Sequence, residues 1–169
     1  TLQRYGESEP YKRHLLSFGS CNKIDNVDVV ECDTEEELLN KWTELIQKES
    51  VDILIGYNIW GFDLSYMLTR AEMTGAEKFF KLGKYKSYQC KIRESSFSSS
   101  AYGHTDYKMV DTPGRFQLDL LVVMKREHKL TSYSLNNVAE HFLKDKKVDM
   151  PYKEMFKKYR QGPEERREI

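Results

Sequence analysis

Long hydrophobic runs are absent from this sequence of 169 residues. Its longest strongly apolar stretch, residues 118–124, has seven residues and includes Asp119, whereas a membrane-spanning helix needs about 20. We therefore expect neither a transmembrane helix nor a secretory leader. The composition, with 39% hydrophobic and 32% charged residues, is too apolar for a disordered chain and predicts one folded domain with one hydrophobic core.

Cysteine is scarce, and the sequence contains no Cys-x-x-Cys pair. The three cysteines, Cys21, Cys32 and Cys90, are an odd number at wide spacing. This pattern favours reduced thiols in an intracellular protein over a disulfide framework or a zinc site.

Net charge is also absent, since 27 basic residues balance 27 acidic ones. The distribution is uneven: residues 1–50 carry a net charge of −5, residues 78–97 a net +5 and residues 125–169 a net +4. A neutral chain of this kind can still present a basic face that binds phosphates. Solvated loop charge is the alternative, and the sign counts alone favour it.

The first fifty residues predict an edge of a sheet and one helix. Residues 2–5 and 14–18 predict two short strands at an antiparallel edge, followed by a loop rich in Asn and Asp. An amphipathic helix is predicted over residues 35–49, with Thr34 as its N-cap and Glu37 completing a capping box.

The middle of the chain predicts a buried strand that leads into a second helix. Residues 51–57 are almost continuously apolar or β-branched, as expected of a central strand buried on both faces of a sheet. A tight connection at 58–61 precedes a helix over 62–73, which Gly75 ends. Residues 78–115 have no helical period and predict a long insertion that contains a hairpin.

The last third of the chain predicts one more strand and several helices. Residues 116–124 predict a strand that passes into a helix, and a further helix begins near Ser132 or Ser134. Two more helices are predicted, over residues 152–159 and after Pro163. The alternation of strands and helices predicts an α/β fold.

The most distinctive chemistry follows the predicted central strand, in the segment GYNIWGFD at residues 56–63. Asn58, an aromatic ring and the carboxylate of Asp63 stand there within six positions. Ligands of α/β proteins bind at the carboxyl ends of strands, so Asp63 is the natural candidate for a metal ligand. The alternative interpretation is an acid that stabilises a helix N-terminus through the helix dipole.

This segment resembles the second exonuclease motif of the family B DNA polymerases, Tyr-Asn-x-x-x-Phe-Asp. The resemblance continues through SSFSSSAYG (95–103), GRFQLDLL (114–121) and KREHKLTSYSLNNVAEHFL (125–143), and it is strongest to the delta-type replicative branch and its relatives in large DNA viruses. It implies a 3′-to-5′ proofreading exonuclease domain. The implied fold is α/β and ribonuclease H-like, with an incomplete mixed sheet, flanking helices and a hairpin insertion.

The resemblance also implies roles for individual residues. Asp63 matches a metal-binding carboxylate that helps to hold paired Mg²⁺ ions over the scissile phosphate. Asn58 and Phe62 match positions that touch the frayed primer end, where a ring can stack on an unpaired base; an Asx turn and core packing are the alternatives. Ser134 and Leu135 match a Ser/Thr-Leu-x-x-hydrophobic motif that binds single-stranded primer, although Ser134 also fits a helix N-cap.

Two further features accompany these motifs. A basic cluster precedes Ser134 and is either a phosphate contact or a solvated helix end; it consists of Lys125, Arg126, His128 and Lys129. Asp119 recurs in the corresponding segment of the family, and no metal role is assigned to it.

The resemblance also indicates which parts of such a polymerase this sequence does not contain. The family's first exonuclease motif places an Asp-x-Glu on the first strand and its third places a Tyr-x-x-x-Asp on a later helix; neither element has a counterpart in residues 1–169, and nor does the polymerase domain. We therefore expect a partial exonuclease domain whose two-metal site is incomplete and which is inactive by itself.

The partners implied for the whole protein are primer–template DNA, the single-stranded primer end and deoxynucleotides, with a sliding clamp as a further candidate and no membrane. The implied location is the nucleus or a viral replication site. Two alternatives stay open. One is a free-standing or degenerate ribonuclease H-like nuclease, and the other is a non-catalytic nucleic-acid-binding or protein-binding module.

Overall fold

The computed structural model describes residues 1–99, 103–145 and 150–169, and the chain divides into two compact units. Unit 1 comprises Thr1–Trp42 and Asp149–Ile169, and unit 2 comprises Thr43–Val148. The two ends of the chain associate within unit 1, where the Tyr159 hydroxyl donates a hydrogen bond to the Phe18 carbonyl.

The chain contains both strands and helices, which confirms the predicted α/β class. The six strands of the described residues are β1 (His14–Phe18), β2 (Asp28–Cys32), β3 (Ile53–Gly56), β4 (Ile92–Ser99), β5 (Gly103–Val110) and β6 (Phe116–Asp119). The α-helices are α1 (Glu35–Lys48), α2 (Leu64–Thr74), α3 (Leu120–Glu127), α4 (Leu135–Leu143), α5 (Tyr152–Gln161) and α6 (Pro163–Glu168). A π-helical turn covers Ile59–Asp63, and a 3₁₀ turn covers Glu77–Lys81.

Unit 1 contains a two-stranded parallel sheet in which β1 pairs with β2. The predicted strand over residues 2–5 is wrong, because Leu2 forms only a single antiparallel bridge, with Lys12. The predicted loop after β1 contains β2 instead. That strand was missed because Val29 and Val30 are its only strongly apolar pair and stand among acidic residues.

The predicted capping box at the start of α1 is present, with one change of partner. The Thr34 Oγ1 atom accepts a hydrogen bond from the Glu37 N–H at 3.1 Å. The Glu37 carboxylate accepts one from the Asp33 N–H at 2.7 Å, one residue before the N-cap. Lys41 contacts the same carboxylate at 2.7 Å, and its hydrogen bond, together with that from Asp33, lowers the pKa of Glu37.

Unit 2 contains the parallel pair β3 and β6, in register from Ile53 opposite Phe116 to Gly56 opposite Asp119. The prediction that β3 is buried on both faces is wrong. Ile53 and Ile55 are 46% and 60% exposed, and Phe116 is 62% exposed. Ile53 and Ile55 lie on the same face of β3, and that face is open to solvent, whereas Leu54 on the other face is 9% exposed. Within the described residues the strands form three two-stranded sheets rather than one mixed sheet.

The predicted hairpin in the insertion is confirmed by the antiparallel pair β4 and β5. Residues 100–102, at the end of the segment SSFSSSAYG, lie outside the described residues. The insertion also contributes to the core, since Phe79, Leu82 and Val110 are almost completely buried. At the base of the hairpin, Asp111 accepts a hydrogen bond from the Tyr88 hydroxyl at 2.6 Å and pairs with Arg93 at 2.7 Å.

The helices of unit 2 follow the sequence predictions closely. Helix α2 buries Leu64, Leu68 and Ala71, and it ends at Gly75, whose φ of +76° lies in the left-handed region that glycine readily adopts. The strand that passes into a helix is confirmed as β6 followed by α3. Helix α4 starts after Ser134, as expected from its cap.

Candidate functional site

The segment GYNIWGFD, called here the motif segment (residues 56–63), makes a tight turn at the carboxyl end of β3. Asn58 has a φ of +62°, a left-handed conformation in which Asn is several-fold enriched. The Phe62 N–H donates to the Asn58 carbonyl at 3.1 Å, and the π-helical turn then delivers the chain into α2. The helix predicted to begin at Phe62 begins at Leu64 instead, and Phe62 lies in the π turn before it, a feature that often marks functional sites.

Two glycines allow this turn to close. A Cβ atom at Gly61 would lie 2.3 Å from the Asn58 Oδ1 atom, and one at Gly56 would lie 2.3 Å from the Ile59 Cγ2 atom. Neither separation is physically possible, so any side chain at these positions would displace a neighbour. An alanine at either position would therefore have to move the end of the Asn58 or the Ile59 side chain.

The Asp119 carboxylate, at the end of β6, binds the motif segment through the main chain. Its side chain is buried, at 1% exposure. Oδ1 accepts hydrogen bonds from the Asn58 N–H at 2.8 Å and from the Leu121 N–H at 3.0 Å. Oδ2 accepts one from the Trp60 N–H at 3.0 Å. One carboxylate thus joins the motif segment to the first turn of α3.

A second contact from β6 holds the same turn. The Trp60 indole Nε1–H donates to the Gln117 Oε1 atom at 3.1 Å, and the Gln117 amide donates to Thr112 Oγ1 at 2.6 Å. Gln117 and Asp119 point to the same side of β6 because side chains two positions apart share a strand face. Neither residue was predicted to belong to the site, although their alternation along the strand is visible in the sequence.

The structure leaves the candidate metal ligand accessible. Asp63 is exposed at the C-terminal end of the π-helical turn, and its side chain makes no capping hydrogen bond to α2. It therefore does not act as a hydrogen-bonding cap of that helix. Asn58 is exposed as well, and no capping bond from its side chain is formed, so the alternative of an Asx turn does not describe it.

Phe62 lies on the surface rather than in the core. Its side chain is 58% exposed and stacks on Tyr66, which is 51% exposed. The two ring centroids are 5.3 Å apart, with an angle of 11° between the ring planes. Tyr66 was missed in the sequence analysis, although its position four residues after Phe62 on a helix places the two rings side by side.

A tyrosine contact connects the motif segment to the second predicted motif. The Tyr57 hydroxyl donates to the Tyr133 carbonyl at 2.6 Å, and burial together with the nearby charge of Asp119 raises the pKa of Tyr57. The next residue, Ser134, caps α4 through its Oγ atom, which accepts from the Asn137 N–H at 3.3 Å. Ser134 and Leu135 are both exposed, so the cap leaves this surface available.

The basic cluster before Ser134 is partly paired, since Arg126 Nε contacts Glu127 at 2.6 Å. An open cavity of about 390 Å³ lies elsewhere, in unit 1, and contains none of the predicted site residues. In residues 1–99, 103–145 and 150–169, no group of three or more His, Cys, Asp or Glu side chains could hold a metal ion. Asp63 alone does not fit a two-Mg²⁺ site, which needs several carboxylates.

No helix in the described part of the chain is both long and apolar enough to cross a membrane.

Comparison with known proteins gives a consistent result. The family described as DNA polymerase family B, exonuclease domain, matches residues 1–138. The chain is 45% identical over 150 residues to the DNA polymerase delta catalytic subunit of Arabidopsis thaliana, covering 89% of this chain and 14% of that protein. It is 40% identical over 151 residues to the Candida albicans subunit, with 89% and 14% covered. It is 35% identical over 173 residues to the DNA polymerase of Paramecium bursaria Chlorella virus NY2A, with 98% and 19% covered.

The family match spans both the motif segment and Ser134. The chain therefore belongs to the exonuclease domain family of the family B DNA polymerases.

Proposed function

We propose that this chain is part of the proofreading exonuclease region of a replicative DNA polymerase, which hydrolyses the 3′ end of a primer. One observation carries the proposal. In a chain of this family, an exposed carboxylate, Asp63, follows directly on an exposed ring, Phe62, at the carboxyl end of a parallel strand. That end of a strand is where α/β proteins bind their ligands.

The accessible residues suit a frayed single strand. The Phe62 ring can stack on an unpaired base of any identity, a contact worth about 1 to 3 kcal/mol. The Asn58 amide can hydrogen-bond to sugar or phosphate, and the exposed Ser134 and Leu135 lie next to Tyr133, which Tyr57 contacts. Recognition through rings, amides and backbone contacts does not depend on base sequence, as proofreading requires.

Metal dependence is a general property of exonuclease domains in this family. In our proposal, Asp63 contributes one carboxylate to a site for paired Mg²⁺ ions, and the other carboxylates come from parts of the longer protein outside residues 1–169. The fold proposed for the complete domain is ribonuclease H-like. On this basis the present chain by itself would not cleave DNA.

Further properties are proposed for the whole protein by analogy with its relatives. We infer that it acts on primer–template DNA with deoxynucleotides as substrates, in a nucleus or at a viral replication site. A sliding clamp is a candidate partner. The relatives described above are polymerases, and this favours the proposal over a free-standing nuclease or a non-catalytic module.

The test is Asp63→Asn in the longer polymerase that carries this chain. We expect loss of magnesium-dependent cleavage of a single-stranded oligonucleotide and unchanged nucleotide addition on a primed template. Glu72→Gln is the matched control. Glu72 is an exposed acid on α2, and its substitution removes one negative charge, as Asp63→Asn does, without changing the motif segment. Cleavage that survives Asp63→Asn, or equal loss of both activities, would contradict the proposal.

A further inference from the structure

We propose that Asp119 is a positioning residue for the exonuclease site. Its carboxylate holds the main chain of the motif segment in the conformation that presents Asn58, Phe62 and Asp63 to DNA. The inference rests on the proposed function, because it assigns Asp119 to that same site. Asp119 itself is buried and does not contact the substrate.

The carboxylate of Asp119 is buried and fully hydrogen-bonded. An ionised carboxylate at 1% exposure is strongly destabilising unless hydrogen bonds compensate for the lost water. Here three main-chain N–H groups do so, at 2.8, 3.0 and 3.0 Å. Hydrogen bonds to a charged acceptor are stronger than those between neutral groups, so the carboxylate fixes the three donors firmly relative to β6.

Two of the three N–H donors lie outside the helix that Asp119 caps. A helix N-cap needs only a bond to the first turn of its own helix, and the Leu121 N–H fulfils that role for α3. The other two donors, Asn58 and Trp60, lie 61 and 59 positions earlier in the chain. They belong to the motif segment, so Asp119 does more than cap its helix.

The bonds to Asn58 and Trp60 hold an unusual backbone conformation. Asn58 has a left-handed backbone, and the π-helical turn that ends at Asp63 begins directly after it. Both are conformations that a free chain rarely adopts. The Asp119 bonds to Asn58 and Trp60 fix the start of this turn and so set where Phe62 and Asp63 emerge. Misplacement of a reacting group by about 1 Å can cost about 10²-fold in rate.

The experiment uses two substitutions in the longer polymerase. Asp119→Asn keeps the shape, but an amide has only one acceptor oxygen, so at least one N–H bond to the carboxylate is lost. Asp119→Ser keeps a good N-cap for α3 and is too short to bind the motif segment. Because Ser preserves the cap, it separates a role in capping α3 from a role in positioning the motif segment.

Asp111→Asn is the matched control. Asp111 is a mostly buried acid of the same unit that binds Tyr88 and Arg93 and no residue of the motif segment. The measurements are exonuclease kcat and KM with magnesium, nucleotide addition, thermal unfolding, binding of a single-stranded oligonucleotide in EDTA, and amide hydrogen exchange of residues 57–61.

Both Asp119 variants should lower exonuclease kcat by about 10²-fold while nucleotide addition is unchanged. Oligonucleotide binding in EDTA should weaken, and the amides of Asn58 and Trp60 should exchange faster. Asp111→Asn should change none of these beyond its effect on unfolding temperature.

The inference is overturned if the amides of the motif segment exchange at the original rate in both Asp119 variants. It is also overturned if Asp111→Asn lowers kcat as much at the same loss of unfolding temperature, since the effect is then general destabilisation. Failure of the proposed function is recognised by a different result, in which the Asp63→Asn polymerase still cleaves the oligonucleotide. Amide hydrogen exchange in the Asp119 variants decides separately whether Asp119 holds the motif segment.

Discussion

The hydroxyl of Tyr57 donates a hydrogen bond to the main-chain carbonyl of Tyr133 at 2.6 Å. Tyr57 is the residue after β3, and Tyr133 is the residue before the Ser134 cap of α4. The Tyr133 hydroxyl in turn donates to the His128 carbonyl at 2.7 Å. This chain of bonds joins two motifs that lie far apart in sequence.

Removal of the Tyr57 hydroxyl should separate the two motifs. Tyr57→Phe in the longer polymerase is expected to destabilise the exonuclease region by about 1 kcal/mol, the net value of a typical hydrogen bond, and to weaken single-stranded DNA binding. Thermal unfolding and oligonucleotide titration measure the two effects. The control is Tyr88→Phe, which removes the hydrogen bond to Asp111 and should lower the unfolding temperature without weakening DNA binding. Equal weakening of DNA binding in both variants would contradict a specific role for Tyr57.

The same tyrosine predicts a pH effect. Its pKa in the folded protein is raised from the ordinary value of 10.0 by burial and by Asp119. The stability it contributes is therefore fully present below that value and is lost as the pH rises through the folded pKa. Unfolding temperatures measured across this alkaline range should fall more steeply for the original protein than for Tyr57→Phe, and parallel curves would refute the assignment.

Substitution of Gly61 should disturb Asn58. A Cβ atom at this position would lie 2.3 Å from the Asn58 Oδ1 atom, so Gly61→Ala must push that amide out of place. We expect weaker single-stranded DNA binding and a lower exonuclease rate with nucleotide addition unchanged. Gly162→Ala is the control, since only the flexible end of Glu165 approaches that position. Binding by Gly61→Ala equal to that of the control would count against the contact role of Asn58.

The stacked rings of Phe62 and Tyr66 should contribute to DNA binding as a pair. Phe62→Ala should weaken binding of a single strand by about 1 to 3 kcal/mol, the value of one stacked base, and raise KM more than it lowers kcat. Tyr66→Ala should have a smaller effect, because it removes the ring beside Phe62 but leaves the Phe62 ring itself in place. Tyr85→Ala removes a ring that is 62% exposed in another segment of unit 2, and binding should not change. An unchanged KM in Phe62→Ala would contradict the stacking role.

The capping box of α1 predicts a loss of stability in acid. The pKa of Glu37 is lowered from its ordinary value of 4.5, first by Lys41 and then by the Asp33 N–H. Its contribution is therefore present above the ordinary value and is lost as the pH falls through the folded pKa. The unfolding temperature should depend less on pH in this range for Glu37→Gln than for Glu36→Gln, which removes an equal charge. Identical curves for the two variants would contradict the role of Glu37 in the capping box.

Local patterns predicted most of the helices and the hairpin correctly. Thr34 and Ser134 mark helix starts because a cap is a contact over three residues, and Gly75 marks a helix end for the same local reason. The motif segment was also identified from the sequence, and the exposure of Asn58, Phe62 and Asp63 agrees with the roles predicted for them. Those roles remain predictions until the variants are measured.

The contacts that shape the site could not be predicted in the same way. The bonds of Asp119 to Asn58 and Trp60 depend on the pairing of β3 with β6, and no local pattern specifies which strands pair. The burial of β3 was wrongly predicted for a related reason. The apolar run at Ile53 and Ile55 indicates a strand, but burial of each face depends on neighbours that the run does not specify.

The anchoring of the motif segment by Asp119 also sets an order of events when the protein is made. A nascent chain that has just completed Asp63 contains the whole motif segment. Asp119, which binds that segment, is synthesised only after about 55 further residues, several seconds later at ribosomal speed. Contacts at such sequence separation form slowly, because a long loop must close first. A peptide cut from the motif should thus be a poor antigen for the native surface, and grafting GYNIWGFD onto another scaffold should fail unless a β6 equivalent travels with it.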